Sequence, residues 1–215
     1  MTQIYAPRHM RLILVLALWL LGPAMALAAD LSVTVRTPQG KPVVDAVVSV
    51  AAPHSGPIHL PWPYRMAQHN IQFDPFVLVV PVGAEVAFPN LDFTRHHVYS
   101  FSPAKTFELK LYGRDETRVV HFDKAGVVEL GCNIHDTMIA FIVVVETPYV
   151  AKTDADGVAV IHGVPAGTQP VSVWRPYLRA PGNALSGTAQ IPHDGVVHMS
   201  FTADVRAPPE RHQMY

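Results

Sequence analysis

The chain has 215 residues, with 16 Lys and Arg against 17 Asp and Glu and a formal net charge of -1. This balance, without a long run of one sign, excludes the strongly basic surface that nucleic-acid binding uses. The 20 prolines and 13 glycines are spread among short Val-rich runs, which predicts many turns between short strands.

The first 28 residues have the pattern of a secretory signal peptide. Two arginines precede an apolar core over residues 12–21, and Ala26 and Ala28 fit an A-x-A cleavage site. The apolar core is shorter than the roughly 20 residues of a transmembrane helix, and no cysteine near the cleavage site could carry a lipid anchor. We expect a mature chain that begins at Ala29 or Asp30, resides in the periplasm and has no membrane contact.

The next segments have strand texture. The runs "LSVTVRT" and "VVDAVVSV" alternate apolar and polar residues and predict two strands, and the Pro-rich residues 51–68 predict a connecting loop. Further strand-like runs fill residues 76–146. One of them, "MIAFIVVVE", is almost continuously apolar, which favours a strand buried on both faces over a buried helix. Since no dozen residues show a clear helical stripe, we predict an all-β fold.

Beyond Pro148 the strand texture continues through "AKTDADGVAVIHGVPAGTQPVSVW", in which Asp156-Gly157 marks a tight turn. The segment that follows Pro176 carries Pro, Gly and Asn, and we expect it to be loosely ordered. Residues 206–215 are predicted to form a disordered tail.

The stretch "GCNIHDTM" concentrates metal-binding side chains. It contains the only cysteine of the chain, Cys132, followed by His135 and Met138. Thiolate, imidazole and thioether are the donors that soft metals select, and a His₂Cys set with a weak axial Met describes a blue-copper site. Inert packing of the cysteine and core packing of the methionine are the alternatives. A second histidine is available at His96 or His97, which point to opposite faces if they lie on a strand.

Three segments together resemble the cupredoxins. The C-x₂-H-x₂-M spacing is similar to that of amicyanin, and "FDKAGVVELGC" has the length of the family's strand before the cysteine, with Val128 where Tyr is usual. In "FPNLDFTRHHV", Asn90 precedes a histidine by six residues, as in the amicyanin and plastocyanin group. This frame selects His96 as the ligand and puts His97 at the family's usual Asn position.

The resemblance implies a Greek-key β-sandwich over residues 66–147 that binds one type 1 copper ion through His96, Cys132, His135 and Met138. It implies a non-enzymatic, monomeric carrier of single electrons, with a c-type cytochrome or a periplasmic dehydrogenase as partner. Asn90 is expected to tie the two ligand segments together. A copper-binding module for delivery, sensing or adhesion is the alternative function.

The flanking segments resemble a carboxypeptidase-regulatory-like, transthyretin-like β-sandwich. The motifs that carry this resemblance are Gly40-Lys41-Pro42, "TDADG" at residues 153–157 and "GVPAG" at residues 163–167. We hypothesise that residues 30–52 and 148–205 form one sandwich into which the copper domain is inserted, since insertion favours domains whose termini lie close together. Two separate small β units, or extra strands on one sandwich, are the alternatives.

Overall fold

The computed structural model describes residues 28–206, whose regular structure consists of strands and a short 3₁₀ helix, Pro181–Asn183. The signal-peptide prediction and the predicted tail therefore fall almost entirely outside the described residues. Within them there is no α-helix, and accordingly no helix that could span a membrane. The all-β prediction is confirmed. The sixteen strands are β1 Ala28–Arg36, β2 Val47–Val50, β3 Ala67–His69, β4 Gln72–Asp74, β5 Val77–Pro81, β6 Ala84–Pro89, β7 His96–Ser102, β8 Lys105–Tyr112, β9 Thr117–Phe122, β10 Gly126–Cys132, β11 Ile139–Val145, β12 Val150–Lys152, β13 Val158–Pro165, β14 Gly167–Trp174, β15 Ala184–Ile191 and β16 Val196–Thr202.

The two ends of the chain build one sandwich. One sheet has the order β13-β1-β16, in which β1 pairs antiparallel with β13 and parallel with β16, and the other has the order β12-β2-β14-β15. Alternate residues of β1, from Leu31 to Val35, are fully buried in the core between the sheets. Both N-terminal strands thus pair with strands that follow Pro148, as the insertion hypothesis requires; the domain boundaries themselves stay a prediction.

The segment after Pro176 is more regular than expected. It contributes β15, paired along its whole length with β14, and β16, the parallel neighbour of β1. The expectation of loose order is therefore wrong. The strands mix serine, threonine and histidine with a few apolar residues, and most of their residues are exposed or only partly buried. Such edge strands give a weak hydrophobic pattern although each is paired with its one neighbour along its length.

The middle of the chain builds a second sandwich. Its main sheet has the order β5-β11-β10-β7-β8, and the pair β6-β9 packs against it. The apolar strand β11 lies between β5 and β10, and six of its seven residues are buried. This confirms the expectation of a strand that is covered on both faces.

A third apolar cluster joins the two sandwiches. Phe141 and Val143 of β11, together with Val77 and Val79 of β5, pack against Val47, Val150 and Trp174 of the first sandwich. The ring of Phe141 makes edge contacts with Trp174 at 5.8 Å and with Tyr177 at 6.0 Å between centroids. The inner residues of β11 belong to the second sandwich, whereas its outer residues belong to this shared core. The two units are therefore fixed against each other by buried surface.

Candidate metal centre

Two neighbouring strands bring the predicted ligands to one end of the second sandwich. β7 begins at His96 and β10 ends at Cys132, and the two strands are antiparallel, with Cys132 opposite Val98. The backbone N–H of Asn133 donates to the carbonyl of His97 at 3.0 Å, which extends the pairing one residue past the cysteine. Both predicted ligands are thus held at strand ends, where the backbone is constrained by the sheet.

The loop between β10 and β11 returns its side chains to the cysteine. The N–H of His135 donates to the carbonyl of Cys132 at 3.3 Å, and the N–H of Met138 donates to the carbonyl of His135 at 2.9 Å. These two consecutive turns explain the spacing of three residues, because each turn brings the next metal-binding side chain back over the previous one. His135 is half-buried, whereas Cys132 and Met138 are buried.

Three donor atoms converge. The Sγ of Cys132 lies 3.8 Å from Nδ1 of His96 and 3.6 Å from Nδ1 of His135. A ligand atom from each of the three residues lies within 4.8 Å of the other two. The two imidazole rings are 5.1 Å apart between centroids, and both present Nδ1 to the cysteine sulfur.

These distances fit a shared metal ion. With bonds of about 2.3 Å to sulfur and about 2.0 Å to nitrogen, as at zinc, an angle of about 120° at the ion separates the two donors by about 3.7 Å. The two observed separations between sulfur and nitrogen lie on either side of this value. The cluster can therefore hold a metal ion with little movement of its side chains.

Met138 lies beside the cysteine in the interior. It is 1% exposed, belongs to the same buried cluster as Cys132 and lines the same cavity. The placement suits both a weak axial thioether and simple core packing, so the role of Met138 as a ligand stays a prediction.

The two adjacent histidines are separated as the strand geometry predicts. His96 is fully buried and faces the cysteine, whereas His97 lies on the opposite face and its Nε2 contacts a carboxylate oxygen of Glu108 at 2.8 Å. His97 is therefore not part of the three-residue cluster. The assignment of His96 as a ligand remains a prediction, now with matching geometry.

Asp92 is a site residue that the sequence analysis missed. Its side chain is 11% exposed, and its Oδ2 accepts a hydrogen bond from Nε2 of His96 at 2.8 Å. The same carboxylate accepts the backbone N–H groups of Asn70 at 2.6 Å and Ile71 at 3.0 Å. The only sequence signal is an aspartate four residues before the histidine, a spacing too common to be informative.

The charges of this pair are set by the surroundings. Burial acts to raise the pKa of Asp92, but the hydrogen bonds from Ile71, His96 and Asn70 outweigh it, so the pKa lies below its usual value. Burial lowers the pKa of His96, against the opposing effect of Asp92. A neutral His96 that donates from Nε2 to an ionised Asp92 must present an unprotonated Nδ1 to Cys132. The ring is thereby prepared to bind a metal.

Asn90 does not join the two ligand segments, and this expectation is wrong. Its Nδ2 donates to the carbonyls of Thr94 at 2.9 Å and Tyr112 at 3.1 Å, and its Oδ1 accepts the N–H of Asp92 at 2.9 Å. The amide therefore shapes the loop before His96 and anchors it to β8. The link between the ligand segments is made instead by backbone pairing, through the N–H of Asn133.

A second buried polar pair lies behind His96. Tyr112 is opposite His96 on β8 and is 1% exposed, and its hydroxyl donates to Oε1 of Gln68, which is fully buried. Burial raises the pKa of Tyr112 far above its usual value. The hydroxyl therefore remains protonated and serves as a hydrogen-bond donor.

No protein-family model and no curated protein matches the chain. Among solved structures, a purple cupredoxin from Nitrosopumilus maritimus is 20% identical, with 38% of this chain and 98% of that chain covered and a TM-score of 0.35. A reduced amicyanin variant is 19% identical, with 46% and 98% covered and a TM-score of 0.36. A copper-containing nitrite reductase from Thermus scotoductus is 26% identical with a TM-score of 0.38, and the match spans 54% of this chain but only 28% of the reductase.

These structural neighbours are cupredoxins. Because the TM-scores are low, the interpretation of the site rests on its own donor geometry.

Proposed function

We propose that this chain is a periplasmic type 1 copper protein that carries single electrons between redox partners. The observation that supports the proposal is the convergence of a cysteine with two imidazoles, at 3.8 Å and 3.6 Å from its sulfur. A zinc site would complete its coordination with nitrogen, oxygen or thiolate donors. A nearby buried methionine is instead the weak fourth donor of blue-copper centres.

Bound copper supplies the one-electron chemistry; the protein's contribution is to hold its donor atoms still. His96 and Cys132 are constrained by paired strands, and Asp92 fixes the orientation of the His96 ring. Donor positions that change little between oxidation states lower the rearrangement that accompanies each electron transfer. The ionised Asp92 also makes His96 a more basic ligand, which favours the oxidised state.

Electrons would enter and leave beside His135. It is the most exposed member of the cluster, and its neighbours Ile134 and Asp136 are both exposed. A partner surface of mixed character, such as that of a c-type cytochrome or a periplasmic dehydrogenase, fits this mixture of an apolar and an acidic side chain. In this proposal the chain is a carrier and not an enzyme.

The test is the visible spectrum of the copper-loaded protein. We expect an intense thiolate-to-copper band that disappears on reduction and returns on oxidation. Cys132→Ser should abolish the band, because a hydroxyl cannot replace the thiolate. His96→Ala should do nearly the same.

His97→Ala is the matched control, since His97 is adjacent in sequence but faces Glu108 and not the cysteine. It should leave the band largely intact. Strong copper binding without colour would contradict the proposal and support a copper-delivery module. A band that is lost in the His97 variant and kept in the His96 variant would contradict the ligand assignment.

A further inference from the structure

The outer face of the main sheet in the second sandwich is covered over only part of its width. Its β5 and β11 portion is buried under the first sandwich. On β7, the outward-facing residues Tyr99 and Phe101 remain accessible, and Phe101 is 80% exposed. Their rings lie 5.1 Å apart between centroids at an angle of 41°. We call these two rings the aromatic platform.

The platform is held against the strand that carries the cysteine. Gly131 of β10 is opposite Tyr99, and a Cβ at this glycine would lie 2.7 Å from the Tyr99 ring. Any larger residue at position 131 would push the ring away. Glycine here therefore lets Tyr99 lie flat on β10, one residue from Cys132.

A cavity of about 550 Å³ opens beside the platform. This volume is within the range of small-molecule sites. Besides the two aromatic residues, the cavity is lined by the acidic residues Glu129 and Asp136, by Ser102, and by the buried Cys132 and Met138.

The charge of this cavity is uncompensated. Glu129 and Asp136 are exposed, and within residues 28–206 neither forms an ion pair. No lysine, arginine or histidine of the described chain lines the cavity.

A second cavity, of about 450 Å³, uses the other side of the same rings, but its carboxylate Glu108 is paired with His97 at 2.8 Å. The two cavities therefore share an aromatic wall and differ in charge.

We propose that the cavity lined by Glu129 and Asp136 binds a small organic cation, an amine with an apolar body. The ammonium group would lie near the two carboxylates, and the apolar body would pack on the platform, whose ring faces also attract cations. Anionic ligands are repelled by this arrangement, and a neutral ligand gains nothing from the two charges. Binding requires no metal, although the cavity borders the buried Cys132 and Met138.

The experiment is a titration of the metal-free full chain with phenethylammonium at low salt, followed by two-dimensional NMR of the backbone amides. We expect saturable shifts centred on Leu130 and Gly131. The uncharged analogue 2-phenylethanol should bind at least about tenfold more weakly, a difference of about 1.4 kcal/mol. The double variant Glu129→Gln with Asp136→Asn should weaken amine binding by a similar factor.

Two controls separate this site from general attraction of cations. Glu85→Gln removes an exposed carboxylate from β6, outside the main sheet, and should leave the affinity unchanged. Tyr99→Leu keeps the charges, removes half of the platform, and should weaken binding severalfold.

Equal binding of the amine and the alcohol, or full affinity in the double variant, would overturn the proposal. We expect a Kd of about 1 mM or lower for the amine, so absence of saturable shifts at about 10 mM would overturn the proposal as well. Shifts produced by a hexalysine peptide and not by the amine would overturn the small-molecule assignment and indicate a basic protein surface.

Discussion

Replacement of Asp92 by asparagine tests whether an ionised carboxylate positions the His96 ring. The aspartate accepts three hydrogen bonds: Oδ2 accepts from His96 and Ile71, and Oδ1 accepts from the N–H of Asn70. Asparagine has the same shape but only one acceptor oxygen. With that oxygen at the Oδ2 position, the contacts to His96 and Ile71 survive, and the N–H of Asn70 faces an NH₂ group that cannot accept.

The expected loss of stability follows from the number of hydrogen bonds that the substitution removes. The loss of one hydrogen bond to a charged acceptor destabilises a protein by about 1.5–3 kcal/mol. Asp92→Ala removes all three and also leaves the buried Nε2 of His96 without its acceptor, so it should cost more. Because the pKa of Asp92 is lowered in the folded protein, its contribution is present above the usual value of 3.8 and is lost as the pH falls through the lowered pKa. The difference between the wild type and the variant should therefore be constant near neutral pH and decrease in strong acid.

Urea unfolding of the metal-free protein at pH 7 measures the cost, and long-range proton–nitrogen NMR correlations report the tautomer of His96. Asp115→Asn is the matched control, since this aspartate is 84% exposed and its ion pair with Arg114 is long at 3.8 Å. The control should change stability by less than about 0.5 kcal/mol. If Asp92→Asn costs no more than the control, and Asp92→Ala leaves the His96 tautomer unchanged, Asp92 does not position the ring.

Three further predictions concern the interior. Tyr112→Phe should lower the free energy of unfolding by about 1–3 kcal/mol, because Oε1 of Gln68 is left buried without its donor. Above pH 10.0 the difference in stability between wild type and variant should shrink. Burial raises the pKa of Tyr112 in the folded protein, so only the wild type loses stability there. Phe141→Ala should cost about 3–5 kcal/mol in urea unfolding, while Phe101→Ala, at an 80% exposed position, should be nearly neutral. Fluorescence of Trp62 and Trp174 and circular dichroism should report one shared transition, and two separate transitions would contradict the shared core. Met138→Leu should retain copper and raise the reduction potential measured by voltammetry, because a weak thioether donor is replaced by an apolar side chain. An unchanged potential and spectrum would show that Met138 only fills the core.

Part of the candidate metal centre and of the fold can be predicted from the sequence, because it depends on the spacing of residues that are close along the chain. The three-residue steps from Cys132 to His135 and Met138 indicate a compact set of metal-binding side chains, and alternation along β7 separates His96 from His97. The two turns behind those steps are visible only in the structure. The continuous apolarity of β11 predicts burial on both faces but does not say what covers the outer one. The first sandwich covers it, through residues far away in sequence. The role of Asp92 was equally hidden, because its partners at residues 70 and 71 come from a different hairpin.

The pairing of the two chain ends has a consequence for the order of folding. Thr34 of β1 pairs with Val158, and Asp30 pairs with Val196, so the first strands made have no partners until the whole second sandwich has been synthesised. Contacts between residues so distant in sequence form slowly, because a long loop must close before they yield any stabilisation. The second sandwich, whose strands pair with one another within residues 67–145, can fold first and bring the ends of β2 and β12 together. In refolding experiments we therefore expect the NMR signals of Cys132 and its neighbours to become native-like before those of β1 and β16.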